Sequence, residues 1–227
     1  LTSAKDALMK KKILFNNMDI SLTDILENKV IQIKKNKYSF KHSILCLGKN
    51  FSNQEIISKY TFVSDHKSYV GFFNHTHHHS QTAYEIFTPN GPLAVLPAPS
   101  KSKKVSTFIY SSNQKTSYKN IKTLIKKKFN SSHGKLVFDK ESYQFEILPH
   151  LSKPKSHKFF LIGDALRSIH PVAGQGWNLG IKDIQQLMKL LDSYELDSSN
   201  LLEKYYDNRS IESFTYLSFT NLLNALY

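Results

Sequence analysis

The sequence predicts an α/β domain interrupted by an inserted antiparallel β-sheet, and three features carry that expectation. Two short apolar runs, "HSILCLG" (42–48) and "KFFLI" (158–162), read as buried strands and lie far apart in the chain. Between them, residues 68–110 are written almost wholly in β-type runs separated by Asn, Gly, Pro and Ser. After the second run comes a glycine-rich loop and then an amphipathic helix. Strand and helix logic broken by a block of strands places an antiparallel unit inside an α/β frame. The expected division is 1–60 as a first part of the α/β domain, 61–150 as the β-sheet domain, and 151–227 as the second part with C-terminal helices.

Taken in order, residues 1–12 space Leu1, Ala4 and Leu8 as a helix does and end in lysines, which suit a helix C-terminus. "KVIQIKKNKYSF" (29–40) reads as a hairpin turning at Lys-Lys-Asn. "NQEIISKY" (53–60) predicts one or two helical turns. "SYVGFFNH", "TAYEIFTP", "LAVLPAP" and "VSTFIYSS" predict four strands, with Asn90-Gly91 turning between two of them. "SYKNIKTLIKKKF" (117–129) predicts a helix capped by Ser117. "SYQFEILPH" (142–150) alternates as a strand. The loop is followed by a helix with Leu179, Ile181, Ile184, Leu187, Leu190 and Leu191 near one side, and a second helical stretch runs from residue 199 to the last residue.

Composition narrows the class. Hydrophobic residues make up 40% and aromatics 12%, which fits a globular chain rather than a disordered one. The single Cys46 excludes a disulfide framework and any CxxC pair. No run reaches the apolar length of a transmembrane helix, so a cytoplasmic protein is expected, at most peripheral on the inner face of an inner membrane. The net charge of +13 would suit an anionic partner or a solvated Lys-rich surface. The basic runs at 10–12, 34–37 and 126–128 are scattered over different elements and no nucleic-acid motif accompanies them, so no nucleic-acid partner is expected.

The loop "GDALRSIHPVAGQGWNLG" (163–180) holds four of the eight glycines and the only tryptophan. A hydrophobic strand delivers Gly163-Asp164 at its C-terminal end, where open α/β sheets bind ligands. Asp164 offers a carboxylate to sugar-like hydroxyls. His170-Pro171 makes a stiff corner. Gly174, Gly176 and Gly180 straddle the helix start, leaving bare N–H groups and a positive dipole end beside a flat or anionic ligand. "GQGWNLG" is spaced as G-x-G-x-x-x-G and does not directly follow the strand, so it is not a dinucleotide fingerprint.

"GDALRSIHPVAGQGWNLGIKD" closely resembles the second flavin-binding motif of the class A FAD monooxygenases, and within them the ubiquinone-biosynthesis hydroxylase branch. That branch runs Gly-Asp-Ala-Ala-His-x-x-His-Pro-x-Ala-Gly-Gln-Gly-x-Asn-Leu-Gly-x-x-Asp. "TAYEIFTPNGPLAVLPAP" is similar to the branch's Ala-Tyr-Glu-x-Phe-x-x-x-Gly-Pro-x-Ala-x-Leu-Pro segment. The resemblance implies an FAD-binding α/β domain of the p-hydroxybenzoate-hydroxylase type, incomplete here, with an inserted antiparallel β-sheet substrate domain. It implies FAD as cofactor, NAD(P)H as co-substrate, and O2-dependent hydroxylation of an aromatic ring that carries a polyprenyl tail. Other ubiquinone-biosynthesis proteins and a membrane surface are the implied partners. By carry-over, Gly163 and Asp164 meet the ribityl or ribose hydroxyls. Pro171, Gly174, Gln175, Gly176, Asn178 and Leu179 surround the isoalloxazine, and His170 sits near the ring in either a packing or a catalytic role.

Three departures stand out. Leu166-Arg167 replaces Ala-His, read here as variation at the rim. In "CLGKNFS" (46–52), Gly48 and Ser52 match the family, but Leu47 replaces an Asp tied to cofactor and NAD(P)H binding. The family's N-terminal strand, Gly-x-Gly-x-x-Gly loop and acidic ribose-binding residue have no counterpart, so the 227 residues are expected to carry the second half of a flavin site. Two other readings remain open: a class A monooxygenase for a soluble aromatic, and a non-catalytic relative that binds polyprenyl lipid or partner proteins. "HTHHH" (75–79) has no nearby Cys or acidic cluster and reads as a polar loop, not a metal site. No Ser-His-Asp or Cys-His arrangement marks a catalytic residue.

Overall fold

The computed structural model describes residues 6, 20–22, 24–33, 35–62, 66–98, 100–156, 158–171, 174–193 and 200–226, with backbone alone for 221 and 223–226. The helix expected over 1–12 lies outside the described residues, Asp6 apart. A hairpin of β1 (Val30–Ile33) and β2 (Asn36–Ser39) comes first, as the pattern predicts. Then follow β3 (Ser43–Leu45), β4 (Ile57–Thr61), β5 (Lys67–His75), β6 (Tyr84–Thr88), β7 (Gly91–Pro97) and β8 (Val105–Ser112). Helix α1 (Tyr118–His133) leads to β9 (Leu136–Phe138), β10 (Tyr143–Glu146), β11 (His150–Pro154), β12 (Phe159–Leu161) and β13 (Arg167–Ser168). Helices α2 (Gly176–Ser193) and α3 (Asn200–Leu226) close the described chain.

The large sheet is antiparallel in the order β10-β5-β8-β7-β6, with β9 also pairing β5. Its two faces are chemically different because strand side chains alternate. On one face Tyr69, Phe73, Leu93, Val95, Phe108 and Tyr110 pack against Ile121, Ile125 and Phe129 of α1. Ser117 caps α1 by accepting the Asn120 N–H at 3.2 Å, as expected. On the other face the register aligns Glu85 with Ala94, Ala94 with Ile109, and Ile109 with Val70. No helix covers that second face among the described residues.

The α/β core is smaller. β3 and β12 run parallel side by side, and Phe159, Phe160 and Leu161 are fully buried with Leu187, Leu190, Leu201 and Tyr205. The second edge of β12 is closed by side chains rather than by a strand. Tyr206 donates its hydroxyl to the Phe159 carbonyl and accepts the Leu161 N–H, and Tyr205 donates to the Leu161 carbonyl, all at 2.8–2.9 Å. The edge's backbone groups are thereby satisfied inside the core. Burial holds both phenols well above their ordinary pKa.

Four local expectations are corrected. Residues 53–60 are not helical: turns at 54–56 lead into β4, because pairing with β11 overrides local propensity. The run 142–150 is two strands, β10 and β11, joining different sheets across the break at 147–149. The strand expected fully buried over 42–48 spans 43–45 only, and Ile44 and Leu47 are about half exposed, since no layer covers them among the described residues. The histidine loop is not merely polar. His75 and His79 are buried, and the His75 ring lies 4.8 Å from that of His133. His75 Nε2 is 3.0 Å from the Ser106 hydroxyl, and burial lowers the pKa of His75 and His133.

Near residues 60 and 150 the chain passes between the α/β core and the large sheet, and there β11 pairs with β4 on one side and β13 on the other. Among the described residues no helix is long and apolar enough to cross a membrane.

The turn at Asn90-Gly91 admits no side chain. Gly91 has φ of 126°, and a Cβ there would meet the Ser111 carbonyl oxygen at 2.1 Å. Gly91→Ala should destabilise the large sheet by roughly 1–3 kcal/mol, read as a lower urea midpoint with far-UV circular dichroism unchanged in water.

Candidate functional site

β12 ends at Leu161, and the chain turns through a 3-10 segment, Gly163–Ala165. Gly163 takes φ of 63°, a conformation that favours glycine, and a Cβ there would meet nothing within 4 Å. The C-terminal ends of the parallel pair β3 and β12 therefore face open space. A cleft of about 480 Å³ lies there, floored by Cys46, Gly48, Gly163 and Asp164 and walled by α2. Such a crevice at the carboxyl ends of parallel strands is where α/β sheets bind ligands.

Helix α2 enters this cleft with its N-terminus. The first bond of its ladder runs from the Leu179 N–H to the Gln175 carbonyl at 2.9 Å. The N–H groups of Gly176, Trp177 and Asn178 are thus outside the ladder, at the positive end of the helix dipole. A Cβ on Gly176 would also meet nothing within 4 Å. Trp177 is 73% exposed beside Ile181 and Ile184, so the wall of the cleft is apolar.

The nine residues expected at the site fall into distinct places. Gly163, Asp164 and Gly176 line the main cleft. Asp164 and Pro171 line a second cavity of about 240 Å³ with Lys49, Ser168 and Leu148. Pro171 and Gly174 line a third, of about 220 Å³, against the uncovered face of the large sheet. The main cleft and the second cavity share Asp164, and the second and third share Pro171. Gln175 and Asn178 bond to each other, Asn178 Nδ2 donating to Gln175 Oε1 at 2.8 Å. The Leu179 side chain is buried with Ile169 and Leu217, away from the cleft. His170 is also buried, its Nε2 3.2 Å from His66 Nδ1. Burial and then His66 lower its pKa to about 4, so the ring is neutral at pH 7.

What holds this loop was not foreseen. The chain has only two arginines, and both end on one carboxylate. Asp183 of α2 is fully buried. Its Oδ1 accepts from Arg167 Nη2 and Arg209 Nε, each at 2.7 Å, and its Oδ2 accepts the Gly163 N–H at 2.9 Å. Arg167 also donates to the Leu179 carbonyl at 3.1 Å, and Arg209 pairs with Glu212, which Lys182 meets at 2.8 Å. Arg167 is therefore no rim residue: it is 3% exposed and ties β13 to α2. The rarity of arginine in a Lys-rich chain was the available signal. His150 is a further missed residue. Its Nε2 lies 3.0 Å from the Asp164 carbonyl oxygen and its Nδ1 3.1 Å from that of Leu148, so it braces the backbone of Asp164. The Cys46 thiol, pushed up first by burial and then by Asp183, stays protonated at neutral pH.

Comparison with known proteins adds the following. A family model described as "FAD binding domain" matches residues 46–215. Ubiquinone hydroxylase UbiL of Rhodospirillum rubrum is 28% identical over 167 residues, covering 67% of this chain and 38% of that protein. Ubiquinone hydroxylase UbiM of Neisseria meningitidis is 26% identical over 169 residues, covering 70% and 37%. The chain thus spans well under half the length of these curated relatives. The flavin-dependent halogenase CmlS superposes with a TM-score of 0.69 at 14% identity, over 95% of this chain and 45% of that one. p-Nitrophenol 4-monooxygenase PnpA from Pseudomonas putida superposes with a TM-score of 0.59 at 14% identity, over 86% and 55%. At such identities the structures share the fold.

Two outcomes follow from the geometry. Asp183→Ala would leave two buried guanidinium groups without their carboxylate, and should cost about 3–5 kcal/mol, seen as a lowered melting temperature of the full-length protein. The second concerns pH. Folded His170 takes a proton only near pH 4, whereas in an unfolded chain it does so near 6.5. The native state binds fewer protons between these values, so stability falls as pH drops from 6.5 toward 4, by up to about 3 kcal/mol from this residue. Burial shifts His75, His133 and His150 in the same direction. Urea midpoints at pH 7, 5.5 and 4.5 should fall in that order, and His170→Asn should flatten the slope.

Proposed function

Since this chain belongs to the FAD binding domain family, we propose that it forms the second half of the flavin site, and the substrate sheet, of a monooxygenase that hydroxylates the ring of a polyprenylated ubiquinone precursor with NAD(P)H and O2. The observation that carries the reading is the open cleft at the ends of β3 and β12, where backbone at Gly163 and Gly176 is bare and the α2 N-terminus faces in. Those features fit a flat, elongated, partly anionic group. Bound there, FAD supplies the two-electron redox chemistry that nicotinamide and oxygen require.

The chain's own residues then divide the work. Asp164 accepts hydrogen bonds from ribityl or ribose hydroxyls, held in place by His150 behind its carbonyl. The open N–H groups of α2 face the electron-rich end of the ring system, and Pro171 and Gly174 form the wall between flavin and sheet. The cavity between that wall and the uncovered sheet face receives the aromatic ring. On the same face, Phe72, Phe87, Tyr143 and Phe145 are exposed, an apolar surface suited to a polyprenyl tail. The division into 1–60, 61–150 and 151–227 follows the same reading, with the middle part as substrate domain. Peripheral contact with a membrane, where such a tail resides, belongs to the reading as well. So does contact with other ubiquinone-biosynthesis proteins.

Flavin titration of the full-length protein tests it. Asp164→Ala should weaken FAD binding by roughly 10- to 100-fold, the loss of a charge-assisted hydrogen bond. Gly176→Val, whose Cβ would enter the cleft with no protein atom within 4 Å, should abolish flavin retention while leaving far-UV circular dichroism intact. Unchanged FAD affinity in both variants would place the cofactor elsewhere and sink the reading.

A further inference from the structure

The cavity of about 220 Å³ between the large sheet and the loop is lined chiefly by apolar side chains, among them Pro92, Ala94, Leu96 and Ile109. An apolar cavity of about 150 Å³ holds a benzene molecule, so this one admits a single substituted ring. Two polar side chains line it, Glu85 and Ser111. The Ser111 hydroxyl is 3.4 Å from that of Ser68 on β5 and is engaged there. Glu85 is different. It sits on β6 directly across from Ala94, whose methyl group leaves room above the sheet and offers no hydrogen bond. Among the described residues no cation pairs with Glu85. Glu85 is exposed, yet partial desolvation by its neighbours raises its carboxyl pKa.

At the mouth of the pocket, water solvates the exposed Glu85 carboxylate until an entering ring displaces that water, and the ring must then supply a donor in its place. We infer that Glu85 is the specificity residue of the ring pocket, accepting a hydrogen bond from a free phenolic hydroxyl on the substrate and thereby selecting hydroxylated rings over O-methylated ones. This rests on the reading of the cavity as the ring site of a flavin enzyme. The physical asymmetry is strong. A phenol donates to the carboxylate, whereas a methoxy group has no proton to give and leaves the carboxylate desolvated and unpartnered. The carboxylate acts as an acceptor that fixes which edge of the ring faces β6, and hence which ring carbon faces Pro171 and Gly174.

The experiment uses the full-length, FAD-loaded protein and two probes of equal tail, 4-hexylphenol and 4-hexylanisole, with affinities read by calorimetry and by perturbation of the flavin spectrum. The wild-type protein should prefer the phenol by roughly 10- to 100-fold. Glu85→Leu should erase that preference, chiefly by weakening the phenol, and Glu85→Gln should retain part of it through its amide oxygen. FAD content and circular dichroism should match wild type in both variants, since Glu85 lies on the rim of the sheet and outside the flavin cleft. A protein that holds FAD but shows no preference, or a preference that survives Glu85→Leu, overturns this inference alone. A protein that takes up no FAD overturns the flavin reading together with it.

Discussion

Asp183 is the constraint on which the site depends. One fully buried carboxylate on α2 receives the Gly163 N–H, Arg167 from β13 and Arg209 from α3. Four segments that share no sheet are thereby fixed to one point. A buried ion pair seldom contributes much net stability, because desolvation offsets the attraction. Its value here is geometric. It ties the end of β12 to the middle of α2, whose first turns wall the cleft. The positive φ of Gly163 follows, since its N–H must turn inward to Asp183 while its Cα faces the open side.

The same economy of means closes the small α/β core. Among the described residues β12 has a strand on one edge, and the hydroxyls of Tyr205 and Tyr206 take the other. Their high phenol pKa values follow from that burial and keep the donors protonated. α3 therefore does two jobs, covering β12 with aromatic rings and supplying Arg209 to Asp183. Its outer face, with Ile211, Phe214 and Leu222, is exposed.

The large sheet solves a different problem. Its alternation sends one set of side chains into α1 and the other toward Pro171 and Gly174. Ala94 and Ser111 are small residues on the second face, and the cavity lies over them. The Gly91 turn aligns β6 with β7 and so brings Glu85 opposite Ala94. The site is made by two units meeting at a loop, and the short sheet of β4, β11 and β13 links them.

Much of this was legible in the sequence. Period-two runs gave β5 to β8, helical spacing gave α1 and α2, and the crowding of glycine after an apolar strand marked the loop. These signals are local, because alternation and turn chemistry depend on neighbours a few residues away. The family resemblance likewise rests on contiguous motifs. What local pattern could not give was decided by contacts between distant segments. β4 became a strand because β11 lies beside it. Ile44 and Leu47 look as apolar as any core residue, yet stay half exposed because no layer among the described residues reaches them. Arg167 reads as a surface substitution until Asp183 and Arg209 arrive from two helices to bury it. His170 and His66, over a hundred positions apart, form one pair only after folding. The sequence by itself determined most of the strands, turns and helices and where the glycine-rich loop would lie. Tertiary structure alone decided which charges were buried, because desolvation and pairing depend on what surrounds a side chain, not on what precedes it.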